Sequence, residues 1–200
     1  MNADKINLSI WNHTLDGFRE KAGGTDPVPA SVAISAVTAS LALALLAKVL
    51  AIAGRKRDLG ALLDSARAES DRLARLADED IEAFNEYMEC RREGRDLTAA
   101  ARKAIDVPME AARSAVRGLE LCVSAAGLVR GLTAADIGGA AALLFAAVQA
   151  MLLSVDFNVR AMRPAERFSD AIAGKRRELE IAALRYADEV TAAINGGLLL

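Results

Sequence analysis

Apolar positions in this chain step by three and four almost from end to end. In the first segment Leu8, Trp11, Leu15 and Phe18 form one such stripe, which predicts a helix. A Gly/Pro break from Ala22 to Pro29 follows. A second helix is predicted over Ala30 to Ala53, stopped by Gly54 and the basic cluster Arg55-Lys56-Arg57. A long amphipathic helix runs from Asp58 to Arg92, and Gly94 breaks it. Thr98 opens a fourth helix reaching Val129, with Pro108 inside it, where proline removes one backbone hydrogen bond and bends the helix. Thr133-Ala134-Ala135-Asp136 resembles a capping box with Asp in the usual Glu place, and its helix extends to Met162. Pro164 suits the first turn of a last helix ending near Ile194. Alternating runs bounded by hairpin turns are missing, and no linker or repeat divides the chain. The pattern predicts an all-α bundle of five to six long helices, a single domain over residues 1–200.

Composition narrows this picture. Hydrophobic residues make up 53% of the chain but aromatics only 4%, so alanine-rich helices must pack closely around a thin core. The formal net charge is −2 with both signs interspersed, which argues against a nucleic-acid partner, since that needs a basic face. Cys90 and Cys122 form neither a disulfide framework nor a CxxC motif, and read as reduced thiols of a cytoplasmic protein. No signal peptide is evident at the N-terminus. Pro27 to Ala47 and Ile137 to Val155 carry no charged residue and reach membrane-spanning length. Ser31, Ser35, Thr38, Ser40, Gln149 and Ser154 interrupt their apolarity. Central helices of a bundle are the favoured reading, and a membrane-associated protein the alternative.

A few polar residues fall within apolar stripes. Leu73, Leu76, Asp80, Phe84 and Tyr87 share one face, so Asp80 points inward. A buried carboxylate is costly unless paired, so Asp80 is either a structural ion-pair or cap partner, or an acid/base group with a tuned pKa. Asn158 lies in the stripe of Met151, Val155 and Met162, where its amide holds a ligand or bridges two helices. Asp156 is a further candidate inward carboxylate, and Asp136 is most simply a cap. His13, the only histidine, has no evident partner. Arg55-Lys56-Arg57 is a solvated helix end or a dock for an anionic tail. No metal-ligand cluster is present in the sequence.

Several segments in order resemble the methenyltetrahydrofolate cyclohydrolase/formiminotetrahydrofolate cyclodeaminase family over roughly residues 5 to 195. Asp80-Ile81-Glu82-Ala83-Phe84 is similar to its D-x-x-A-F block, and the stretch at Val107-Pro108 to its A-x-x-V-P stretch. Ala135-Asp136-Ile137-Gly138 is similar to its S-D-x-x block. Ser154-Val155-Asp156-Phe157-Asn158 stands where the family commonly has N-V-x-x-N, and Gly54-Arg55-Lys56 is similar to a G-K segment. Two positions depart from the pattern. Pro27-Val28-Pro29-Ala30-Ser31 replaces a P-G-G-G-S loop, losing all three glycines, and Ser154 replaces the first asparagine.

The resemblance implies a folate one-carbon enzyme, built as a homodimer that shares its site, with tetrahydrofolate as substrate and no other cofactor. It implies Asp80 as the catalytic carboxylate. Ser31, Asp136 and Asn158 would orient substrate or water, and Arg55, Lys56 and Arg57 would meet the glutamate tail. The lost glycines leave two alternatives open: a relative repurposed for imine or cyclisation chemistry on another small molecule, or a non-catalytic bundle.

Overall fold

A computed structural model describes residues 9–55, 57–162 and 166–198. Six α-helices follow in order: α1 Leu15–Ala22, α2 Ser31–Ala53, α3 Gly60–Glu93, α4 Thr98–Leu128, α5 Ala134–Met162 and α6 Glu166–Leu198. No strand occurs among the described residues. The five long helices match the sequence pattern to within a few residues at each end. Leu8, Lys56 and Pro164 lie outside the described residues.

The first stripe is not one helix. Ile10–Asn12 form a single 3-10 turn, and a separate α1 starts after His13. The reason is local capping. Ser9 accepts the Trp11 N–H, and Thr14, extended at ψ 155°, accepts the Gly17 N–H and starts the chain afresh. The turn is pinned to α3, where Asp78 accepts hydrogen bonds from Ser9 Oγ at 2.6 Å and Ile10 N at 2.8 Å. Trp11 Nε1 donates to the Ala74 carbonyl at 2.9 Å.

α2, α3, α4 and α5 form an antiparallel square, with α5 closing back on α2 and α6 lying over α4 and α5. Cross-links fix the register: Ser40 to Ser70, Lys103 to Glu86 and Asn158 to Ala104. Leu43, Leu46, Leu50, Leu73, Ile105, Leu119, Ile137, Leu144 and Met151 fill the centre. Alanines bring the backbones together, among them Ala36, Ala39, Ala111, Ala115 and Ala140, all fully buried. Gly118 permits a close approach at the centre, where a Cβ would sit 3.1 Å from both Leu43 and Leu144.

The helices that carry the two uncharged runs, α2 and α5, are long and apolar enough to cross a membrane, and about half of each apolar stretch is buried within the bundle. Each turns one face inward and leaves Leu41, Ile52, Leu143, Leu153 and Phe157 exposed. One polar cluster between α3 and α4 has no counterpart in the sequence reading. Glu69 accepts hydrogen bonds from Arg117 at 2.6 Å and from the fully buried Ser114. Burial alone would raise the Glu69 carboxyl, but Arg117 and Ser114 outweigh it and hold the group below its ordinary range.

Candidate functional site

Helix periodicity turns Asp80 of α3 inward with Leu73, Leu76 and Ala83, which are buried. Its carboxylate meets the N-terminus of α2, where it accepts a hydrogen bond from the Ala33 backbone N–H. α2 needs such a partner. Its N-cap, Ala30, has no side chain able to take a free N–H. The carboxylate therefore caps a helix from across the bundle, and the positive end of that helix favours its charged form. Burial is the larger influence and pushes the Asp80 pKa up to about 6. No cation pairs with it among the described residues. The result is a half-buried carboxyl without a cationic partner among the described residues, which exchanges a proton close to neutral pH, as an acid/base group requires.

The same end of the bundle holds two further candidates. Ser31, exposed, opens α2 two residues before Ala33. Asn158 of α5 donates from Nδ2 to the Ala104 carbonyl of α4 at 2.9 Å. That bond has a specific cause. Pro108 has no N–H, so the carbonyl four residues back, that of Ala104, is left without its helical partner. Asn158 supplies the missing donor and bridges two helices, one of the two roles its stripe position allowed. The Val107-Pro108 and Asn158 segments, far apart in sequence, are thus one structural device.

The remaining candidates lie elsewhere. Arg55 and Arg57 follow the far end of α2, about 30 Å along its axis from Ala33. There Arg57 Nη1 donates to the Leu128 carbonyl at 2.6 Å and caps the end of α4. A cavity of about 410 Å³ at that turn is lined by Leu50, Arg55, Arg57 and Leu63 among others. Lys56 falls outside the described residues. Asp136 sits in the first turn of α5, close after the end of α4, at this same far end. Within one chain the structure brings Ser31, Asp80 and Asn158 to one end, and leaves Arg55, Arg57 and Asp136 at the other. Asp156 is held by Arg176 at 2.9 Å.

The loop before α2 is packed rather than open. Pro29 is buried and Val28 half-buried, where the resembling family's pattern carries glycines. Among the described residues no group of three His, Cys, Asp or Glu gathers as a metal site. Both cysteines are buried, and burial pushes the Cys122 thiol up to about 12, which makes it a poor nucleophile. What the sequence could not show is the partner of Asp80, because a backbone N–H leaves no residue-type signal.

A family model described as formiminotransferase-cyclodeaminase matches residues 14–178. The fold is similar to the crystal structure of a formiminotetrahydrofolate cyclodeaminase from Thermotoga maritima, with a TM-score of 0.83 and 22% sequence identity. That similarity covers 94% of this chain and 98% of the other. No curated protein matches the sequence.

Proposed function

Because the chain belongs to the formiminotransferase-cyclodeaminase family, we propose that it is a cytoplasmic enzyme acting on the one-carbon bridge of tetrahydrofolate. The observation that carries this reading is Asp80, a half-buried carboxyl at the N-terminus of α2 with a pKa of about 6 and no cationic partner among the described residues. The bridge of methenyltetrahydrofolate is a cationic amidinium, and a lone carboxylate in a site of low dielectric stabilises it. Water attacks the bridge carbon while Asp80 takes the water proton. The tetrahedral carbinol then collapses as Asp80 returns its proton to the departing ring nitrogen and the carbinol O–H proton passes to solvent, leaving a formyl group and releasing one proton net. In the cyclodeaminase direction the same carboxyl gives its proton to a departing amine as the ring closes and ammonia leaves. Both routes need one group that binds and releases a proton near neutrality. Neither asks for a cofactor beyond the folate itself. The purified chain should open methenyltetrahydrofolate or close formiminotetrahydrofolate in a spectroscopic assay, and the faster of the two names the reaction. Inertness toward both contradicts the reading.

The packed loop favours a second reading, a relative turned to another small molecule by the same imine chemistry. Val28, Pro29 and Ala30 stand where backbone would otherwise approach a ligand closely, and Pro29 offers no N–H. Replacing all three with glycine should tighten tetrahydrofolate binding if the loop obstructs it. Unchanged binding, with efficient turnover by the unaltered chain, removes the second reading.

α2 and α5 pack against each other, and their outward positions carry Leu41 at 53%, Leu153 at 56% and Phe157 at 61% exposure. We propose that a second copy covers them in a symmetric homodimer, since a patch of this kind on a bundle marks an interface. Sedimentation at micromolar concentration should give a dimer. Leu41→Glu with Leu153→Glu should give a folded monomer, and a wild-type monomer contradicts the assignment.

A further inference from the structure

The stripe that carries Asp80 continues past the end of α2. α2 starts at Ser31, whereas α3 runs on from Asp80 to Glu93, about 20 Å farther along its axis. α4 returns from Thr98, and Lys103 holds Glu86 at 2.9 Å, so the α3–α4 hairpin stands above the N-terminus of α2. On this projecting part, Asp80, Phe84, Tyr87 and Arg91 are spaced by four, three and four residues and share one helical face. Phe84 and Tyr87 are half-buried, yet neither is among the side chains packed on the core. Arg91 is exposed and has no ion-pair partner among the described residues, whereas its neighbour Arg95 is held by Glu93 at 2.7 Å.

The order along this face is carboxylate, ring, ring, guanidinium. The order along a folate, read outward from its bridge, is cation, aminobenzoyl ring, glutamate carboxylates. Asp80 and Arg91 lie about 16 Å apart along the axis, a span suited to that half of the molecule. We propose that Phe84 and Tyr87 face the aminobenzoyl ring and that Arg91 binds the glutamate carboxylates. The assignment rests on the reading that the bridge sits at Asp80. It moves the tail dock from Arg55 and Arg57, which lie at the far end of the bundle, to the hairpin. Flat rings stack on aromatic faces, and a free guanidinium matches a carboxylate pair in two parallel hydrogen bonds.

The test uses p-aminobenzoyl-glutamate and a tetrahydropterin without the tail, titrated separately into the full chain, alongside turnover of methenyltetrahydrofolate. Arg91→Ala should weaken the tailed fragment about tenfold and leave the tail-less pterin and the melting temperature unchanged. In turnover it should raise KM with kcat retained. Phe84→Leu with Tyr87→Leu should weaken p-aminobenzoate itself, and Arg55→Ala should change nothing. A wild-type chain that turns over folate but ignores the fragment overturns the subsite while the reaction stands. Arg91-dependent fragment binding without turnover supports the subsite and removes the reaction. Loss of fragment binding in Arg55→Ala rather than Arg91→Ala overturns the hairpin assignment.

Discussion

Asp80→Asn is expected to reduce turnover by roughly 10²-fold or more while stabilising the folded chain at neutral pH. The first effect follows from removing the carboxyl at the mouth of α2 whose pKa lies near neutrality. The second follows from its protonation. Burial raises the folded carboxyl to about 6 from an ordinary 3.8. Between those pH values the folded chain binds more protons than the unfolded chain, so stability falls as pH rises through that window. Below the window the carboxyl is protonated in both states and carries no penalty. Above it the penalty is complete and amounts to about 3 kcal/mol. Asparagine cannot ionise, and its carbonyl can still accept the Ala33 N–H. The variant should therefore melt higher than wild type at pH 7.5 and equal it near pH 3.5, as thermal unfolding at the two pH values will show. A variant that is much less stable at neutral pH, with turnover per folded molecule unchanged, would instead make Asp80 a purely structural cap.

Asn158→Ala is expected to destabilise the chain by about 1–3 kcal/mol, and Pro108→Ala is expected to suppress much of that loss. Asn158 donates to the Ala104 carbonyl, which is unpaired only because residue 108 is a proline. An alanine at 108 brings the N–H that pairs with Ala104 within α4, and Asn158 then becomes largely redundant. A double-mutant cycle measured by urea denaturation isolates the coupling, which should be about 1 kcal/mol or more. Additive effects of the two changes would show that Asn158 acts elsewhere, and a rise in KM without loss of stability would make it a substrate ligand instead.

The two predictions also show where sequence reasoning succeeds and where it stops. The helices were legible because apolar spacing, Gly54, Gly94 and Thr98 all mark the same boundaries. The first segment was misread because a stripe of three-and-four spacing does not reveal that Thr14 caps a new helix in its midst. Asp80 stood out as a charge in an apolar face, but its partner is a backbone N–H of α2, and backbone groups have no sequence signature. Asn158 was visible as a polar residue on an inward stripe. Its task was hidden in a proline fifty residues earlier, and only the antiparallel register of α4 and α5 joins them. The basic cluster at the end of α2 looked like part of the site because sequence position carries no information on distance. Helix length sets that distance, and it places the cluster at the opposite end from Asp80. Ser114 in α4 was the one trace of the Glu69 cluster, a hydroxyl on a fully buried face.

The central claim is that Asp80 moves a proton at the one-carbon bridge of a tetrahydrofolate. Its most direct test is the pH dependence of kcat/KM for methenyltetrahydrofolate opening, in the wild-type chain and in Asp80→Asn. If the ionised carboxylate is the base, wild-type kcat/KM falls tenfold per pH unit below about 6, and the residual activity of Asp80→Asn lacks that limb. Activity that keeps the same limb in Asp80→Asn, or a wild-type profile that is flat through this range, contradicts the account.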